Sequence, residues 1–166
     1  MGIHEEWRAA YATQSFSDWA TYELLGNASV CQRLHYLQMH LEKICKAYLW
    51  ELSRTETVPA FHRNHNVIAK TMPMIFKQYW HQVGGKPNGN ELDQIRELCR
   101  EIDLLAPAVD DSKRRPDNCE YPWYESGRMH IPVQHEFRIY SRILNTTYGR
   151  NILKLSRYLC DLYRLR

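Results

Sequence analysis

From Val30 to Trp50 the chain sets Val30, Leu34, Leu37, Leu41, Ile44 and Tyr48 at spacings of three and four. A 3.6-residue period alone gathers those side chains into one stripe, so the spacing predicts a long helix that buries a face in a core or a dimer seam. Glu42 and Lys46 stand one turn apart on it, an ordering that adds a few tenths of a kcal/mol to an exposed helix.

Four further helices follow from the same reasoning. Ser15 to Leu25 has Ser17 and Asp18 as cap candidates, brings Phe16, Trp19, Ala20 and Leu24 to one side, and meets a stop at Gly26-Asn27. Asn66 to His81 carries Ile68, Met72, Ile75, Phe76 and Tyr79, with Pro73 expected to kink or restart it. Asn90 caps a helix to Leu105 whose inward residues are Leu92, Ile95, Leu98, Ile102 and Leu105. Glu136 to Tyr163 forms the last, loosened at Gly149, with Tyr148, Ile152, Leu155, Leu159 and Leu162 as its apolar face. No segment alternates apolar and polar residues for long, so the expected class is all-α: an antiparallel bundle of about five helices.

Between the fourth and last of these lies a long Pro-rich loop, Ala106 to His135, with Pro107, Pro116, Pro122 and Pro132. Loops of this length in compact domains are functional or disordered. Asp110 to Asn118 reads as a solvated charged turn, whereas Glu120-Tyr121-Pro122-Trp123-Tyr124 is aromatic enough to dock on the bundle.

With 166 residues, 44% of them hydrophobic and 25% charged, the chain suits a single helical domain spanning 1–166. The N-terminal stretch lacks the apolar run of a signal peptide, and no segment approaches the about 20 apolar residues of a membrane span, so no membrane partner is expected and the location reads as cytoplasmic. The five cysteines, Cys31, Cys45, Cys99, Cys119 and Cys160, are widely spaced and read as reduced packing groups.

Cofactor motifs are missing. Gly84-Gly85-Lys86 lacks the upstream Gly, the following Ser or Thr and the preceding strand of a phosphate loop. His62 and His65 lack a neighbouring Cys or carboxylate in the sequence, and His35 and His40 point to different faces of one helix, so capping or core roles are expected in place of a metal site. No Ser or Cys stands in a nucleophile-elbow context, and adjacent Asp110-Asp111 reads as solvent-facing.

Tyr36-Leu37-Gln38-Met39-His40-Leu41-Glu42-Lys43-Ile44-Cys45-Lys46-Ala47, then Pro59 and the step His65-Asn66-Val67, resemble the HEPN domain (higher eukaryotes and prokaryotes nucleotide-binding). Tyr121-Pro122 sits where that family commonly has a Tyr-Pro element before its final helix, so the resemblance spans about Trp7 to Tyr163. It implies a helical bundle, a homodimer, and a role as a binding or regulatory module in an RNA- or nucleotide-linked stress or defence system such as a toxin–antitoxin pair. Short members are often deployed as non-catalytic partners of a separate nucleotidyltransferase chain.

Ribonuclease members of the family carry Arg, four to six residues, then His, with the two side chains meeting around a scissile phosphate at a dimer interface. Such metal-independent cleavage uses the His as acid or base and the Arg as a clamp on developing negative charge. Arg33 to His40 and Arg128 to His135 both match, with six residues between. The second lies in the late region where the family's motif belongs, although Pro132 interrupts it, so Arg128 and His135 are the candidate catalytic pair, against the alternative of a loop-packing or surface pair. Arg150, Lys154 and Arg157 on the polar face of the last helix, with Lys113, Arg114 and Arg115 in the loop, are candidate nucleic-acid contacts. A net charge of only +3 and the need of any amphipathic helix for a polar face favour a plain solvated surface over such contacts.

Overall fold

The computed structural model describes residues 2–53, 59–84, 88–107 and 118–164. Among these are helices α1 (Ile3–Leu24), α2 (Val30–Leu52), α3 (Ile68–Tyr79), α4 (Gly89–Asp103), α5 (Arg138–Asn145) and α6 (Thr147–Arg164), with a two-stranded hairpin, β1 (Trp123–Glu125) and β2 (Arg128–His130), before α5. The chain is mainly helical, as its periodicity predicts, and no described helix is long and apolar enough to cross a membrane.

The central element is α2. Leu34, Leu37, Leu41 and Ile44 of its stripe are fully buried, and α1 lies along it as its principal neighbour. Burial extends past the stripe, because Gln38, Glu42 and Lys46, at successive turns, are also inside. Lys46 Nζ donates to Glu42 Oε1 at 2.8 Å, Gln38 Nε2 donates to Glu42 Oε2 at 3.0 Å, and His65 Nδ1 lies 3.1 Å from Glu42 Oε1. The expected weak surface pair is therefore a buried ion pair, whose disruption from one side is costly. His65 also gains the carboxylate neighbour that its sequence context lacks, 23 residues back in the chain.

Four element boundaries differ from the sequence expectation. Helix α1 begins at Ile3, where Glu5 accepts the Gly2 N–H at 3.1 Å, instead of at Ser15. Asn88, not Asn90, caps α4, its Oδ1 accepting the Glu91 N–H at 2.8 Å. Helix α3 runs through Pro73 without a break, and its first amides, those of Ile68 and Ala69, donate to the Asp103 carboxylate at the end of α4.

The expected last helix is two helices. Thr146 is extended (φ −94°, ψ 154°), and its Oγ accepts the Gly149 N–H at 3.1 Å while donating to the Arg142 carbonyl at 2.6 Å. A Cβ on Gly149 would overlap the backbone carbonyls of Arg142, at 2.6 Å, and Ile143, so glycine lets the first turn of α6 cross the end of α5.

The described part of the Pro-rich loop is ordered by specific contacts. Asn118 Oδ1 accepts the amides of Glu120 and Tyr121, the Cys119 N–H donates to the Leu105 carbonyl at 2.9 Å, and Glu120 lies 3.2 Å from His35 on α2. Ser126 and Gly127, with φ of 52° and 79°, form the two-residue turn that closes the hairpin. The aromatic segment docks only in part: Trp123 packs inward, whereas Tyr121 and Tyr124 are 61% and 59% exposed. All five cysteines are free and buried.

Candidate functional site

The hairpin, the segment 135–137, the end of α4 and the start of α5 line a cleft of about 470 Å³. Arg128 and His135, seven residues apart in sequence, both line it. The hairpin brings in His130, and the segment entering α5 adds Arg138. Arg128 and His130 lie two apart on β2, hence on one face of the strand, and Arg128 Nε donates to His130 Nε2 at 3.3 Å.

Trp123 supports both imidazoles. Its indole stacks on the His130 ring, with centroids 5.1 Å apart and planes 6° from parallel, and meets His135 edge-on at 4.9 Å. Phe137 closes on the other side of His135, also edge-on, at 4.7 Å. His135 is thus half-buried and wedged between two aromatic rings, which fixes its orientation toward the cleft wall.

The formal charges of the cleft balance once Glu101 is paired with Arg142, so positive potential is confined to the start of α5. Helix α5 starts at this cleft with no side chain capping its N-terminus and no acidic residue in its first turn, so its amides and dipole present positive potential. Arg128 and Arg138 are exposed on the rim. Of the three cleft carboxylates, Glu101 is engaged by Arg142; Glu125 stands opposite Arg128 in the strand register, and Glu136 is exposed. The arrangement can hold a phosphate group beside two imidazoles, which is the material of acid–base chemistry on a phosphodiester.

The other candidates sit elsewhere. Arg33 lies between the rings of Tyr22 and Tyr140, 5.0 and 5.2 Å from their centroids, and donates to the Tyr140 hydroxyl. His40 is fully buried against Ser15, so this second Arg–His match is a packing pair. His62 Nδ1 lies 3.0 Å from the Tyr11 hydroxyl, and its ring packs edge-on to Trp7 at 4.4 Å. Among the described residues no group of three or more His, Cys, Asp or Glu could hold a metal.

On α6, Arg150 donates to the carbonyl of Asn145 at 3.0 Å and so caps α5, and Arg157 pairs with Glu23 at 2.6 Å. Lys154 is exposed between them. Two of the three cations of that face thus have partners within the chain. Lys113, Arg114 and Arg115, like Asp110 and Asp111, lie outside the described residues.

Sequence reasoning missed His130 and Arg138. The signal for His130 was the Ser126-Gly127 pair: once it is read as a hairpin turn, Arg128 and His130 share a face. No family model matches the chain, and searches of curated proteins and of solved structures find no match.

Proposed function

We propose that the chain is a HEPN-type RNA-binding module, acting as a homodimer in an RNA- or nucleotide-linked stress or defence system, and that the cleft between the hairpin and α5 receives an RNA phosphate. The observation that carries this reading is the convergence of Arg128, His130, His135 and Arg138 on one cleft at the uncapped start of α5. Arg128 and Arg138 supply the charge, the α5 amides supply directed donors, and Trp123 with its stacked imidazole offers a flat surface beside them. Binding of a fluorescent single-stranded RNA by wild-type protein, lost in Arg128→Ala, supports the reading; equal binding by both proteins refutes it.

A second reading, metal-independent endoribonuclease, is favoured by one feature: two histidines, not one, flank the place where the phosphate would sit. His135 and His130 then divide the acid and base roles, and Arg128 holds the phosphoryl oxygens. Cleavage of RNA in chelator-treated buffer by the wild type, abolished in His135→Ala and reduced in His130→Ala, supports this activity; intact RNA after prolonged incubation leaves the binding module. A non-catalytic pairing with a nucleotidyltransferase chain would then show as a stable hetero-complex without cleavage.

A further inference from the structure

Resting on the RNA-binding reading, we propose that a second groove, between the start of α3 and the last turns of α4, carries the RNA strand onward from the cleft, with Lys70 and Arg100 as its phosphate contacts. The groove has a volume of about 500 Å³ and lies against the cleft: Leu104, 50% exposed, lines both.

Three cations face this groove: Lys70 from α3, and Arg96 and Arg100 from α4. Arg96, Arg100 and Leu104 succeed one another at four-residue steps, so they form a stripe rising about 6 Å per step toward the cleft. The carboxylates nearby have hydrogen-bond or ion-pair partners of their own. Both oxygens of Asp103 accept backbone amides, those of Ile68 at 3.2 Å and Ala69 at 3.0 Å, and Asp93 pairs with Arg96 at 2.6 Å.

The Lys70 and Arg100 side chains are exposed and make no hydrogen bond or ion pair with a described residue. With Asp103 lining the groove and Asp93 paired to Arg96, three cations face two carboxylates, and the remaining excess of positive charge on one concave surface is relieved by a bound polyanion. Because the groove continues from a cleft that takes a phosphate, the polyanion it fits is the adjoining backbone of the same single strand, with Leu104 beneath a base.

The test compares two fluorescent single-stranded RNAs, a tetranucleotide that fills the cleft alone and a strand of about 16 nucleotides. Each is titrated across a salt series against wild type, Arg128→Ala, Lys70→Ala/Arg100→Ala, and a control, Arg63→Ala/Lys77→Ala, which removes two exposed cations from other surfaces. The proposal expects Lys70→Ala/Arg100→Ala to weaken the long strand severalfold and lower its log–log salt slope by about 1.4, two contacts at about 0.7 each, with the tetranucleotide unchanged.

Equal affinity and slope for wild type and the groove variant, with Arg128→Ala still defective, overturn the groove and leave the cleft standing. An equal loss in the control variant also overturns it, because the effect is then one of net charge. Failure of both RNAs to bind wild type removes the cleft reading and the groove with it.

Discussion

His40 is a titratable group sealed in the core, and that gives a stability change with pH whose size follows from its surroundings. The ring is fully buried between α1 and α2: Nδ1 lies 3.0 Å from the Ser15 carbonyl and 2.8 Å from the Ser15 hydroxyl, Trp19 packs at 5.0 Å, and Nε2 has no hydrogen-bond partner among the described residues. Burial penalises the imidazolium and lowers the pKa from 6.5 to about 4, against the opposing pull of the Ser15 carbonyl. Above the unfolded-state value the ring is neutral in both states and adds no pH dependence. As pH falls from 6.5 toward 4 the unfolded chain takes up a proton that the folded chain refuses, so stability drops, by about 3 kcal/mol in all at 1.36 kcal/mol per unit. Urea unfolding of wild type and His40→Gln at neutral pH and near pH 4 isolates the group, because the variant cannot titrate. The wild type should lose about 3 kcal/mol more than the variant over that interval. An unchanged gap between the two proteins at both pH values would refute the assignment.

Gly149→Ala should destabilise by about 1–3 kcal/mol, because the new Cβ meets the Arg142 and Ile143 carbonyls; thermal unfolding decides it, since an unobstructed helix would gain about 1 kcal/mol from the same change. Lys46→Met leaves Glu42 buried without its cation and should cost about 3–5 kcal/mol in urea unfolding, while Glu42→Gln/Lys46→Met costs less than the single change. A loss of only a few tenths in Lys46→Met would return the pair to the status of a surface contact. Trp123→Leu should weaken RNA binding severalfold by freeing both imidazoles, with the unfolding midpoint nearly unchanged because the hairpin lies at the surface; undiminished binding would remove Trp123 from the site.

What could be read from the sequence, and what could not, divides along physical lines. The stripes of α2 and α4 were legible because Leu and Ile occupy their inward positions at regular spacing. The first half of α1 was not, since Ala12 is its one buried residue before Ser15 and no apolar period marks it, and in the second half the inward residues are Ser15, Asp18, Trp19 and Tyr22, with Ala20 and Leu24 of the expected face exposed. Across the helix pair α2 meets both Ser15, with His40, and Asp18, with Lys43 at 2.5 Å, while Gln14 of α1 also donates to Asp18 at 3.3 Å. Likewise Gln38, Glu42 and Lys46 look like a solvated face until tertiary packing encloses them.

Strands of three residues are too short to show alternation, which hid the hairpin, and the break at Thr146 depends on a close crossing that only Gly149 hints at. Of the site, Arg128 and His135 were named through the family resemblance, and the structure brings both to one cleft. His130 and Arg138 needed the turn geometry at Ser126-Gly127 and the start of α5 to place them there.

An RNA phosphate bound in the cleft between the hairpin and α5 would sit beside both of its histidines. The most direct test of that placement is an NMR titration of histidine ring signals with a short single-stranded RNA. His130 and His135 should shift in a saturable way, while buried His40 and His81, which does not line the cleft, stay fixed. Saturable shifts that spare His130 and His135, or no shift in any histidine, would contradict it.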